Sequence, residues 1–174
     1  VEQLASLLEA SARFVRDMKA GKPPRFLSLL GTSGAGKTML ARRVWRWFNA
    51  VGKFYKPIEG CDAEMVRTGQ FCSWRGFMEE CLRGDFSRTV DLCDDWFVVL
   101  DDIGAKRDKS GMGLDKLDTV LASRSEKKWT MITANQSLEE LADMDSRISS
   151  RLLRGGSEAV EVKMLDYAIR QAAR

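Results

Sequence analysis

Residues 25–38 read RFLSLLGTSGAGKT, and this stretch decides the fold. The run from Phe26 to Leu30 is short, apolar apart from Ser28, and bounded by Pro24 and Gly31, which predicts a buried strand over residues 25–30. Residues 31–38 match the pattern GxxxxGK[ST]. In that pattern glycines let backbone amides close around phosphates, the lysine meets the outer phosphates and the hydroxyl holds Mg²⁺. The expected ligand is a nucleoside triphosphate, ATP, with Mg²⁺, lined by Gly31, Thr32, Ser33, Gly34, Ala35, Gly36, Lys37, Thr38 and Met39. A helix is expected over about residues 37–50, because the positive end of its dipole must face the phosphates. The competing reading is a chance glycine-rich turn, and a strand before it with a helix after it argues against that.

Working outward, Leu4, Leu7, Leu8, Ser11, Val15 and Met18 recur at helical spacing and predict a helix over about residues 2–19, stopped by Gly21, Pro23 and Pro24. Residues 61–68 and 73–82 read as helices, WFVVL at 96–100 as a strand without a polar face, and 114–123 as a helix. WTMITA at 129–134 is the next buried strand. Ser137 with Glu140 forms a capping box, Asp145 caps the following helix, and Gly155 with Gly156 ends it. AVEVKM at 159–164 is a last strand, and the glycine- and charge-rich residues 104–113 are the expected mobile surface loop. Strands alternating with helices predict an α/β fold with a mainly parallel sheet.

The length of 174 residues fits one domain, and 44% hydrophobic with 30% charged residues excludes a disordered chain. No apolar run reaches the roughly 20 residues of a membrane span, and the N-terminus lacks a leader pattern, so the expected compartment is the cytoplasm and no membrane partner is expected. Cys61, Cys72, Cys81 and Cys93 form no CxxC pair, and there is no histidine, so buried thiols are expected in place of a zinc site. Acid–base chemistry then falls to carboxylates, lysine or water. The chain opens at Val1 inside a helical pattern, which predicts an N-terminal neighbour that binds a partner. Within residues 1–174, 1–22 read as helix and linker and 23–168 as the core.

FVVLDDIG at 97–104 delivers Asp101 to the C-terminal end of a buried strand, where phosphate loops of open α/β sheets also lie. Asp101 is the candidate Mg²⁺ ligand and Asp102 the candidate to polarise an attacking water. A solvated acidic pair is the alternative. Asn135 ends the next strand and adds a polar group at the same edge, to touch the γ-phosphate or hold the water; a simple asparagine turn is its alternative. Arg147 and Arg151 lie four apart, hence on one helix face, and on spacing alone a solvated pair is the better reading.

GTSGAGKT, VVLDDIG, ITANQSLEEL and DSRISSRLLRGG, in this order, resemble the AAA+ ATPases of the DnaC/DnaI helicase-loader and IstB transposition-helper group, over about residues 24–168. The resemblance implies a three-layer α/β/α P-loop NTPase with a parallel five-stranded sheet in the order 5-1-4-3-2. It makes Asn135 the sensor 1 residue and Arg151, with Arg147 beside it, the arginine that completes a neighbour's ATP site. It further implies head-to-tail assembly on DNA, a lid that is reduced or absent, and slow, assembly-dependent hydrolysis. The function it points to is loading or recruiting a replicative helicase on single-stranded DNA. An IstB-type helper shares every motif. A small-molecule kinase or a non-hydrolysing nucleotide-binding scaffold are the rivals from other classes.

LARRVWRWF at 40–48 interleaves Arg42, Arg43 and Arg46 with Trp45 and Trp47, a pattern that tracks single strands or, more simply, packs its aromatics on a sheet. GQFCSWRGFMEECLRG at 69–84 lies where this group carries a DNA-facing element, with Arg75 and Arg83 as its basic groups. Its Phe71, Trp74, Phe77 and Met78 read as core or as a partner surface. Arg43, Arg75 and Arg83 are the candidate DNA contacts.

Overall fold

A computed structural model describes residues 2–51, 68–104 and 111–163, with the backbone of 55–57 and 64–66. Helix α1 (Glu2–Lys19) leads into β1 (Phe26–Gly31), the phosphate-type loop and α2 (Lys37–Val51). Strands β2 (Tyr55–Pro57) and β3 (Glu64–Val66) form a separate antiparallel pair. Then come β4 (Gly69–Ser73), α3 (Trp74–Leu82), α4 (Ser87–Asp94), β5 (Phe97–Ile103) and α5 (Met112–Arg124). The rest is β6 (Trp129–Ala134), α6 (Leu138–Met144), α7 (Ser146–Leu152) and β7 (Glu158–Val162).

The main sheet has five parallel strands in the order β4-β5-β6-β1-β7. Counted in chain order within that sheet this is 2-3-4-1-5, the expected 5-1-4-3-2 order seen from the other edge. Alternate residues of the central strands feed two cores, as the two-residue period of a strand requires. Leu27, Leu29, Phe97, Val99, Trp129 and Met131 pack with Leu7, Phe14, Val44 and Phe48 of α1 and α2. Phe26, Leu30, Val98, Leu100 and Ile132 pack with Trp74, Phe77, Leu92, Leu117 and Ile148 from α3, α4, α5 and α7. The architecture is therefore three layers, helix on sheet on helix.

Three local features position the site. Helix α1 is clamped across β1 and β7: Arg25 Nη2 donates to Asp17 at 2.7 Å, and Arg13 pairs with Glu158. Phe14 meets Trp129 edge-on, with ring centroids 5.0 Å apart. Strand β4 passes into α3 with no connecting residue, Ser73 being both the end of the strand and the N-cap that accepts from the Gly76 amide.

Most expected elements stand where the sequence put them, and the capping box at Ser137 and Glu140 forms, as does the Asp145 cap. The helix expected over 61–68 is corrected: Glu64–Val66 pairs with Tyr55–Pro57 as a strand, and 61–63 and 67 lie outside the described residues. The sequence reading also missed β4 and α4. Trp74, Phe77 and Met78 are core, while Phe71 packs half-buried under Trp45. Cys72 and Cys81 are buried thiols, and burial pushes Cys72 up to about 11. Cys61 and residues 105–110 of the expected loop lie outside the described residues. No helix among the described residues is long and apolar enough to cross a membrane.

Candidate functional site

The C-terminal ends of β1, β5 and β6 bring Gly31, Lys37, Asp101, Asp102 and Asn135 together. The loop leaves β1 at Gly31, whose φ of 106° only glycine adopts without strain. Space forbids a side chain there as well: an added Cβ would stand 1.9 Å from the Val162 carbonyl oxygen. The loop is tied to both flanking elements, since the Gly31 amide donates to Gln136 O at 3.1 Å and the Thr32 amide to Val162 O at 3.0 Å. Gly34 and Gly36 also have positive φ, 72° and 89°. At Gly36 an added Cβ would meet only Met39 Cε, at 3.9 Å, so conformation and not crowding selects glycine there.

Lys37 is buried at the start of α2. Its ammonium donates to Gly31 O at 2.8 Å, Thr32 O at 2.6 Å and Asn135 Oδ1 at 3.1 Å. Burial holds it below the ordinary lysine range, partly offset by the Asp102 and Asp101 charges. The Gly36, Lys37 and Thr38 amides find no acceptor among the described residues. These are orphan donors at a helix start, a donor set that fits a phosphate chain.

Strand β5 loses its regular register with β6 between Leu100 and Ile103, and Asp102 sits in the left-handed region with φ 60°. A bulge of this kind re-aims side chains at a strand end. Thr133, one strand over, holds the two aspartates in place. Its hydroxyl donates to Asp101 Oδ1 at 2.8 Å and accepts from the Asp102 amide at 2.8 Å. Asn135 Nδ2 donates to Asp102 Oδ1 at 2.6 Å while its Oδ1 receives Lys37. Burial, reinforced by the Asp101 charge, holds the Asp102 carboxyl above the ordinary range, against the pull of Lys37 and Asn135. The cluster supplies a buried cation, a buried carboxylate and a half-buried second carboxylate, all fixed to one another. Asp101 and Thr38 offer the oxygen ligands that a Mg²⁺ ion takes alongside phosphate and water.

The sequence reading missed Thr133, although most hydroxyls in strands buried on both faces find a buried partner, and that tendency was a usable signal. It also missed the groove of about 420 Å³ beside the loop, lined mainly by Leu4, Leu8, Gly34, Met39, Leu40 and Arg43. Ser33 and Ala35 complete the loop, Ser33 exposed and Ala35 buried.

The arginines lie elsewhere. Arg147 and Arg151 share one face of α7 but bond to Asp115, Asp118 and Asp145, and no hydrogen bond joins them to the loop among the described residues. Arg43, Arg75 and Arg83 are not gathered into one patch, since α2 and α3 pack on opposite faces of the sheet. Arg75 pairs with Glu79 at 3.1 Å. Exposed Arg43 lines a concavity of about 540 Å³ with Thr38, Met39, Arg42 and Arg46.

No protein-family model and no curated protein matches the chain. The fold is that of the AAA+ P-loop ATPases. Among solved structures of that class the chain is similar to DnaI, with a TM-score of 0.67 and 19% identity over 93% of this chain and 82% of that one. It is similar also to the DnaC helicase loader, with a TM-score of 0.58 and 21% identity over 80% and 78%. Domain III of the replication initiation protein DnaA from Thermotoga maritima gives a TM-score of 0.66 at 15% identity, and the chain, matched over 94%, spans 65% of that structure.

Proposed function

We propose that the chain binds ATP with Mg²⁺ and hydrolyses it slowly, in a head-to-tail assembly on single-stranded DNA, and that it loads or recruits a replicative helicase. The observation that carries this is the linked cluster Lys37–Asn135–Asp102–Thr133–Asp101 at the mouth of a glycine loop. The phosphates lie along the loop from Gly31 to Met39, with the Gly36, Lys37 and Thr38 amides donating to them. The base rests against the apolar groove at Leu8 and Met39. Thr38 and Asp101 would hold Mg²⁺, which when bound would offset the charge of the outer phosphates.

Lys37 exchanges its loop carbonyls for the γ-phosphate. Asn135 and Asp102 orient a water for in-line attack: the new bond forms at the γ-phosphorus, the bond to the bridging oxygen breaks and ADP leaves. The water's proton passes to Asp102 or to the released phosphate. Arg151, with Arg147 beside it, offsets charge on the nucleotide of the next subunit. The helicase and DNA parts are supported by likeness to the DnaC helicase loader and to a DnaA structure bound to AMPPCP and single-stranded DNA, 16% identical, of which the chain spans 44%. The exposed Arg43, Arg75 and Arg83 are the proposed phosphate contacts.

The test is ATP turnover by the full-length protein with increasing protein and with single-stranded DNA at two salt concentrations. Turnover per subunit should rise with assembly, and DNA affinity should fall steeply with salt. Removing the three arginines together should flatten that slope. Concentration-independent turnover, or transfer of phosphate to a small acceptor, would replace this function with that of a self-contained kinase.

A further inference from the structure

Arg147 and Arg151 leave α7 one turn apart and meet the acidic side of α5, where Asp115 and Asp118 stand one turn apart. The two arginines are held differently. Arg147 has a side chain 53% exposed and spreads over several carboxylates: Asp145 through Nε and Nη2, Asp115 through Nη2 at 3.1 Å, and Asp118 through Nη1 at 3.6 Å. Arg151 is 22% exposed and, among the described residues, its side chain pairs with Asp118 alone, itself 15% exposed. That contact is side-on, with Nε donating to Oδ1 at 2.6 Å and Nη2 to Oδ2 at 3.3 Å.

A guanidinium holds five N–H groups in one rigid plane. The side-on grip takes the edge formed by Nε and Nη2, and Nη1 of Arg151 has no acceptor among the described residues. The plane is thus fixed while the end formed by Nη1 and the second Nη2 hydrogen is left for another anion. Asp118 therefore does not compete for the whole group. A carboxylate on one edge and a phosphate on the other is a geometry that this fork allows and that a lysine at 151 could not copy.

We propose that Asp118 is a positioning residue: it presents Arg151, with one edge vacant, to the outer phosphate of a nucleotide held by a second copy of the chain. This rests on the trans role given to Arg151 above. A long side chain that is already oriented loses little freedom on reaching the phosphate, and misplacement by about 1 Å at such a contact lowers rate on the order of a hundredfold. Asp118 acts through the arginines it holds, Arg151 closely and Arg147 by the looser 3.6 Å contact, so its removal should lower turnover in the neighbour's site without changing how tightly that site holds ATP.

Mixing variants separates this from a mere brace between α5 and α7. Full-length Arg151→Ala, which keeps its own nucleotide loop, serves as acceptor. Lys37→Ala serves as the donor that lends an arginine, with Asp118 intact or changed to Asn or Glu. The expected result is that the intact donor restores turnover and the Asp118→Asn donor restores at least about tenfold less, at unchanged KM for ATP. The Asp118→Glu donor, which keeps the carboxylate, should recover part of the difference. Donors are compared at equal folded fraction and equal assembly by sedimentation, with Asp118→Glu deciding the matter if Asn does not fold. Asp115→Ala removes an exposed carboxylate whose side-chain partner among the described residues is Arg147, and should rescue as well as the intact donor. Equal rescue by Asp118→Asn, or equal loss with Asp115→Ala, overturns the positioning role and leaves the trans arginine standing. Failure of the intact donor overturns the trans arginine and this proposal with it.

Discussion

The sheet edge and the α7 face carry the charges that the proposed reaction uses, and they are built in opposite ways. At the edge, one cation and two carboxylates, one of them on a left-handed aspartate, are packed beside a glycine that touches a neighbouring strand. On α7, two arginines stand on an ordinary helix among three carboxylates, with regular geometry and solvent at hand. The edge holds its groups in states that cost the folded chain something, whereas the α7 face is at ease without a ligand. In the proposed shared site the edge would be the strained half and the α7 face the relaxed one.

Gly31→Ala should have the largest effect, because the methyl would have to displace the Val162 carbonyl as well as strain the backbone. A loss of about 3 kcal/mol or more in urea unfolding is expected, with loss of ATP binding alongside. A well-tolerated alanine would mean the loop is looser than its bonds to Gln136 and Val162 suggest. Lys37→Ala should keep the fold yet weaken ATP binding by about a hundredfold or more, measured by titration calorimetry, since it deletes the buried ammonium aimed at the loop. Unchanged affinity would dissolve the contrast at its stronger end.

Asp102→Asn tests the cost of preparation. Its carboxyl is held above the ordinary range, so ionising it destabilises the fold: the penalty is absent below the unfolded value, grows as pH rises, and is complete once pH exceeds the folded value. Lys37 is depressed, so its charge costs stability below its folded value, and that cost disappears as pH rises to the ordinary lysine range. The asparagine should therefore lower turnover about a hundredfold while leaving Tm unchanged or higher, by no more than roughly 2–4 °C. A lower Tm at neutral pH would contradict the claimed cost.

Arg147→Ala should do least, shifting Tm by no more than about 2 °C, because the arginine is itself 53% exposed and its ion pairs are spread redundantly over several carboxylates. Hydrogen bonds from Arg147 hold Asp145 below the ordinary carboxylate range, so whatever it contributes is present above that range and lost as pH falls through the depressed value. A thermal-melt series from neutral to acid pH, run for both proteins, should converge at the acid end.

The central strands were legible because strands buried on both faces need uninterrupted apolar runs, and the loop was legible because its glycines and lysine answer to one ligand chemistry. Strand β4 was hidden by its own brevity: GQFCS opens on glycine, sits at a sheet edge and gives way to a helix without a turn residue. Helix α4, SRTVDLCD, buries only Thr89 and Leu92, too few positions for a period to show. At the site, Asp101, Asp102 and Asn135 were placed by their strand ends. The bulge at Asp102 and the two bonds of Thr133 were not, since both depend on how neighbouring strands register, which is a long-range fact. Arg151 was legible as a surface arginine on the α7 face, but its grip on Asp118 joins residues 33 apart and left no local trace.

The junction at Ser73 limits how the chain can vary in length. Because β4 becomes α3 within one residue, an insertion or deletion there has no slack to absorb it. Each added residue would turn the helix by about 100° and advance it about 1.5 Å. Trp74, Phe77, Met78 and Cys81 would swing away from the α5 side together, and solvent-facing Arg75 and Glu79 would be driven inward. Length variation between β4 and β5 is therefore expected at the Arg83–Phe86 turn, where exposed residues and Gly84 offer room, and not at the strand–helix corner.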